Sequence, residues 1–391
     1  MRITIDGKNC DFFTAGSVSL KLDSIASTFE FSLRFSANNT DHQEILKPLQ
    51  YKDVLIYNSK DKLIFTGTLL NHRFVSDKGR NLVVVTGYSK SGILEDVTIP
   101  ISEYPLENNG KSFIEIARRL CGIYGIGVVV SAQAQSISKT TVVDSKDGVQ
   151  EDSEFESIKA KSKHIFGRTS AEPTETIKNY LAKLAGQKNI ILSHNEKGEV
   201  LIFQPSYNQK PRYFFTKGNS LKMEAEFNGQ GLHSEINVVR QPSDDNQGAS
   251  TADKAKNNLI GKYRPTTKLL SSGEDLDTSN SARNEIASEL KQSISVKVEL
   301  QGLLDEIYPG EIVNVHNHYI YSYAYNRFMV DEITLKFDEK SETTELSLVV
   351  PESFNGGLIR NILFNHLDKD AHLQPHLNED FSVYTNRKDI L

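Results

Sequence analysis

Residues 53–88 read "DVLIYNSKDKLIFTGTLLNHRFVSDKGRNLVVVTGY". Apolar and polar residues alternate on both sides of "NSKD", and again on both sides of "DKG". Alternation of this kind turns one face of each strand to a core, and the polar breaks are hairpin turns. The pattern extends upstream. "SVSLKL" sets Val18, Leu20 and Leu22 on one face, and "TFEFSLRF" does the same with Phe29, Phe31, Leu33 and Phe35. "RITIDG", directly after Met1, alternates too. Short strands with turns at intervals of about ten residues predict a sandwich or a barrel for this part of the chain. Closing the sheet would remove the edges that otherwise invite aggregation.

The period then changes. "KSFIEIARRLCGIYG" spaces Phe113, Ile116, Ala117, Leu120, Cys121 and Tyr124 as one helix face. Ser112 and Glu115 form a capping box, and Gly125 is a stop. A polar stretch over 131–157 reads as loop or weak strand. After Pro173, "TETIKNYLAKLAG" gives a second helix with Thr174 as cap and Gly186 as stop, followed by a hairpin around "NEKG". Strand character returns in "GLHSEINVVRQ", is interrupted by the polar, flexible loop "PSDDNQGASTADKAKNN", and continues as the extended "KYRPTTKLL". The stretch from Asp277 to Leu300 begins as a helix, with Ala282, Ile286, Ala287 and Leu290 inward, and becomes a strand at Ile294. "EIVNV", "RFMVDEITLKF" and "TTELSLVV" are three more strands. No fixed repeat period is visible between residues.

Bulk composition excludes several classes. The chain has 391 residues, 38% apolar and 25% charged, which is ordinary globular usage with room for several domains. Its net charge of −6 provides no basic field for nucleic-acid phosphates. The two cysteines, Cys10 and Cys121, lack metal-ligand spacing and point to no disulfide dependence. No basic-then-apolar segment and no membrane-length apolar run occur, so cytoplasmic synthesis without membrane insertion is expected.

Four stretches, in order, carry a family resemblance: "STFEFSLRF" with "LIFTGTLLNHRFVSDKGRNLVVVTGYSKSGILED"; "SFIEIARRLCGIYGIGVVV"; "TETIKNYLAKLAGQKNIILSHNEKGEVLIF"; and "KYRPTT", the helix from Ser281 to Gln292, and "YPGEIVNV" through "ELSLVV". Together they resemble the Mu-type phage baseplate hub, the late control protein D family, related to the hub of T-even phages. The resemblance implies a mainly β, α+β fold: two similar split β-barrels with a small α/β domain between them and a C-terminal extension. The corresponding boundaries are 1–104, 105–212, 213–354 (interrupted at about 244–292) and 355–391. It also implies a structural, non-enzymatic hub with no cofactor. Three chains would form a pseudo-sixfold ring that joins a hexameric tail tube or distal tail protein to a central spike or tip. Tape-measure protein and DNA would pass through the channel without specific binding. The place of action would be the virion tail, after assembly in the host cytoplasm. Two alternatives stay open: a tail-associated cell-wall-degrading or carbohydrate-binding protein, and the hub of a type VI or phage-tail-like secretion system.

Candidate sites are few. In "HYIYSYAYNR", Tyr319, Tyr321, Tyr323 and Tyr325 fall on alternate positions and would share a face if the stretch were one strand. They could pack on their own wall, be split by a turn near Ser322, line an interface between chains, or form a sugar-binding strip. His316 and His318 have His-x-His spacing but no evident third ligand. His366, Asp368, Asp370, His372 and His376 cluster in the tail. Glu151 and Asp152 form a carboxylate pair in a polar loop, without the apolar pocket that acid catalysis requires. No GxSxG, HExxH or Walker motif is present.

Overall fold

A computed structural model describes residues 1–79, 81–131, 165–166, 169–187, 190–203, 209–240, 252–257, 259–270 and 278–354. The amino-terminal part holds β1 (Arg2–Ile5), β2 (Lys8–Asn9), β3 (Phe13–Lys21), β4 (Thr28–Arg34), the short helix α1 (Thr40–Ile45), β5 (Asp53–Tyr57), β6 (Leu63–Ser76) and β7 (Asn81–Ser89). The middle holds α2 (Ile93–Asp96), β8 (Lys111–Ser112), α3 (Phe113–Gly122), β9 (Val128–Val130), β10 (Ile165–Phe166), α4 (Ile177–Gln187), β11 (Ile191–His194) and β12 (Val200–Phe203). Then follow β13 (Tyr213–Thr216), β14 (Lys222–Phe227), β15 (Glu235–Arg240), β16 (Ala252–Lys256), β17 (Pro265–Leu270) and α5 (Thr278–Ser293). Last come β18 (Ile294–Gln301), β19 (Ile312–Asn317), β20 (Ser322–Asp338) and β21 (Glu342–Val349). The chain is thus mainly β, of the α+β class.

The two expected barrels are not separate sheets. Their strands form one 13-stranded sheet, joined where β3 pairs antiparallel with β20 from Lys21↔Glu332 to Ala15↔Asp338. One core runs beneath both halves, from Ile3, Phe31 and Phe65 to Val298, Val330 and Leu346.

Within that sheet the same six-strand unit occurs twice. The first unit has the order β3-β4-β7-β6-β5-β1, and the second β14-β18-β21-β20-β19-β13. Each list visits its strands in the same chain order. Registers agree residue by residue. The β6·β7 pairs Thr68↔Tyr88, His72↔Val85 and Ser76↔Asn81 correspond to the β20·β21 pairs Met329↔Val349, Ile333↔Leu346 and Phe337↔Glu342. Both ladders skip one residue at the same place, Leu70 in β6 and Asp331 in β20. The β-bulge therefore recurs. Both hairpins turn on an aspartate: Gly79 N–H donates to Asp77 Oδ1 at 2.9 Å, and Lys340 N–H donates to Asp338 Oδ1 at 2.7 Å. Thr28↔Tyr88 and Arg34↔Leu82 correspond to Ser295↔Val349 and Gln301↔Thr343. One pairing differs: β1 runs antiparallel to β5, whereas β13 runs parallel to β19.

The middle segment has its own core. Phe113, Ile116, Leu120 and Cys121 of α3 pack with Ile177, Leu181 and Leu184 of α4, over the small sheet β11-β12-β9. The Ser112–Glu115 capping box is formed, with Ser112 N–H donating to Glu115 Oε2 at 2.7 Å. Gly125 takes φ +64°, as a helix stop requires. A further cluster sets Ala282, Ile286 and Leu290 of α5 against Ile236 and Val238 of β15. The helix gives way to a strand at Ile294, as its periodicity predicts.

Several expectations need correction. "LIFTGTLLNHRFVS" is one 14-residue strand bent at its bulge rather than two strands. Residues 40–45 form a helix within a region read as all β, because Asn39 Oδ1 accepts N–H bonds from Asp41 and His42. Residues 252–256 of the supposed loop pair with β15. The cap of α4 is Thr176, whose Oγ1 accepts from Asn179 N–H at 3.3 Å, in place of Thr174; Gly186 lies inside the helix. The "GLHSEINVVRQ" strand joins a separate sheet, β16-β15-β17, instead of the large one.

Candidate assembly surfaces

Two of the repeated unit's strand edges lie open among the described residues. In β6, the pairing with β5 ends at Thr68, so residues 71–76 pair with β7 on one side and with no described strand on the other. β14 pairs with β18 alone and ends the sheet. Both edges carry apolar side chains in contact with solvent: Phe74 is 45% exposed, Val75 40% and Phe227 43%. Charged neighbours interleave with them: Arg73 on β6, and Lys222, Glu224 and Glu226 on β14. Charges on an edge are a known guard against indiscriminate pairing.

The tyrosine ladder does not form. Tyr319 sits in a 3-10 turn (His318–Ile320), where Asn317 Oδ1 accepts its N–H at 3.0 Å. Tyr321 takes a left-handed φ of +62°. This turn near Ser322 splits the run. Tyr319 and Tyr321 project at 84% and 57% exposure beside β14, and Lys217 Nζ stands 4.5 Å from the Tyr319 ring centre. Tyr323 and Tyr325 belong to β20, and their side chains lie outside the described residues.

His316 and His318 do not share a strand face. His316 is the last residue of β19 paired with β13 and His318 opens the turn, with the rings edge-to-face at 4.7 Å. Among the described residues, no three His, Cys, Asp or Glu side chains converge as a metal site. Glu151, Asp152, His366, Asp368, Asp370, His372 and His376 lie outside the described residues. Cys10 and Cys121 are both buried, and burial pushes each thiol up to about 12, which suppresses the nucleophilic thiolate. No described helix is long and apolar enough to cross a membrane.

The two edges, unlike the tyrosines, carried no local signal in the sequence. They emerge only when the pairing partners of every strand are known.

No family model and no curated protein matches the sequence. Solved structures do. The prophage MuSo2 43 kDa tail protein of Shewanella oneidensis superposes with a TM-score of 0.70 at 16% identity, over 90% of this chain and 98% of that one. The chain has the fold of the Mu-like tail proteins. A tail protein of Neisseria meningitidis gives a TM-score of 0.69 at 16% identity, over 91% and 97% of the two chains. The tail-protein fold reaches further. An E. coli type VI secretion component, described as similar to the T4 bacteriophage tail proteins gp27 and gp5, matches at a TM-score of 0.54 and 7% identity, over 93% and 80%. At these identities the likeness shows the fold alone, the mainly β, α+β tail-protein fold that the sequence resemblance implied.

Proposed function

We propose that the chain is a structural baseplate hub of a phage tail. It works as a homotrimer whose six repeated units make a pseudo-sixfold ring between a hexameric tube and a threefold spike or tip. The repeated six-strand unit with matching registers carries this reading. Two similar units per chain let three chains imitate six subunits, and closed cyclic trimers are a common solution for soluble oligomers. The whole-length likeness to tail proteins, and the weaker one to a secretion component, support the same class of machine. The role requires no reaction: the chain supplies shape, and a net charge of −6 disfavours retention of passing DNA. Tyr319 and Tyr321 face a neighbouring chain in this reading. The division into segments 1–104, 105–212, 213–354 and 355–391 is part of the proposal.

The test is the mass of the full chain in solution by light scattering, alone and mixed with its tube protein. The expected result is about three times the 43.9 kDa chain in at least one condition. A monomer in both overturns the ring. Release of sugar or peptide from host cell wall, abolished by one carboxylate substitution, would favour the enzymatic alternative.

A further inference from the structure

The β3·β20 junction inside the chain is a template for the contact between chains. β3 is an edge of the first repeat and pairs with the part of β20 that lies beyond the bulge at Asp331. The same two places exist again with the roles exchanged. β14 is the second repeat's counterpart of β3: Ala15↔Ser32 and Ser19↔Thr28 correspond to Lys222↔Glu299 and Glu226↔Ser295. Residues 71–77 are the first repeat's counterpart of the β20 segment, because they follow the equivalent bulge at Leu70. β14 and residues 71–76 of β6 lack a strand partner on that side among the described residues.

We propose that β14 of one copy pairs antiparallel with residues 71–77 of β6 and its turn in a second copy, in the register of the β3·β20 junction. This rests on the ring reading above and specifies its interface. Transferring the internal register through the repeat sets Arg73 opposite Glu226 and Asp77 opposite Lys222. Both are pairs of opposite charge, and they fall on the same face as Glu332 opposite Lys21 in the existing junction, where the charges lie 3.7 Å apart. The other face of the junction is apolar: Ile333 meets Leu20, and Leu335 meets Val18, all buried. Its transferred counterparts are His72 opposite Phe227 and Phe74 opposite Ala225. These include the exposed phenylalanines of the two edges, Phe74 and Phe227. A register slipped by one residue would put Arg73 on the apolar face of its partner, so the alternation of β14 enforces the choice. Cross-strand opposite charges and aromatic contacts each add to such pairing. The contact is head-to-tail, because β14 and β6 are different surfaces, and such contacts close into rings when the rotation permits.

Oxidative cross-linking of the full chain carrying Arg73→Cys and Glu226→Cys tests the register. Directly opposed strand positions bring Cβ atoms within disulfide reach, whereas positions displaced along the strand do not. The native thiols are buried and give little background. The expected result is a non-reducing gel ladder ending at three chains, with at least tenfold less product from Arg73→Cys with Lys222→Cys. A second variant keeps the test valid if the cysteines disturb folding: Arg73→Glu weakens assembly at least tenfold, and adding Glu226→Arg restores it. Trimers by light scattering without the preferred cross-link or the charge rescue overturn the proposed register and leave the ring standing. Cross-links between chains that close at a number other than three keep the interface and overturn the trimer. A chain that stays monomeric at every concentration and with its tube protein overturns both.

Discussion

Lys291 Nζ, on α5, lies 2.8 Å from Asp331 Oδ1, the bulge residue of β20. The same ammonium reaches Asp23 Oδ2 at 2.7 Å, just past β3. One cation thus ties the helix to the two strands that join the halves of the sheet. Burial raises the Asp331 carboxyl above the ordinary aspartate range, and Lys291 pulls it partway back. A carboxyl raised by folding contributes most below its unfolded value, about 3.9, and loses that contribution as pH climbs through the higher folded value. Lys291→Met leaves Asp331 without its cation. We expect a loss of about 2–3 kcal/mol at pH 7, toward the low end for a broken buried pair because neither partner is fully enclosed. The loss shrinks near pH 4, as Asp331 takes up its proton. Urea denaturation of both proteins at the two pH values measures the difference.

Gly87 stands opposite Phe29 in the first repeat, where the second has Leu348 opposite Val296. A Cβ on Gly87 would come 2.0 Å from the Thr68 carbonyl oxygen and 2.6 Å from the Phe29 ring. Gly87→Ala is expected to cost roughly 1–3 kcal/mol, as overpacking does. Adding Phe29→Val relieves the ring contact and leaves the backbone one, so it should recover only part of the loss. Thermal unfolding of the single and double variants decides. Full recovery would show that the carbonyl is not the obstacle.

Cys10 and Cys121, with thiols pushed up to about 12, should be silent to a thiol-reactive dye in the native chain at pH 8. Both should label at once in denaturant. Native labelling of Cys121 would mean that α3 opens far more readily than its buried face allows.

Ser112→Ala removes one half of the capping box of α3. The expected cost is about 1 kcal/mol. Glu115→Ala should cost a similar amount, and the double variant less than the sum, since each side chain serves the other. Chemical denaturation of the three variants checks this.

The strands and helices were legible where burial on one face imposed a period. Ala282, Ile286, Ala287 and Leu290 all face the core of α5 as their spacing requires. Where one residue decided the geometry, the period misled. Tyr321 at positive φ turned a four-tyrosine strand into a hairpin, and alternation alone cannot show that. The bulge at Leu70 let two apparent strands run on as one. The repeat was invisible for a different reason. From Thr68 to Tyr88 and from Met329 to Val349, the two hairpins share an aspartate, Asp77 and Asp338, and no other residue in place. Their cores are filled by different volume partitions, such as Phe29 with Gly87 against Val296 with Leu348, and many combinations fill one shape. The candidate interface was hidden with the repeat, because an unpaired edge is defined by what its neighbours do.

β20 changes partners midway, from β19 to β3, without a break in the chain. Tension applied lengthwise would therefore be felt on both sides of the molecule at the same moment. The rungs between β20 and β3 would then be stressed in shear, all together, instead of peeling one by one. In the hub role proposed above, seated beneath a tube that is driven or emptied under pressure, a continuous beam of this kind would be a mechanical safeguard that two separately folded units would lack.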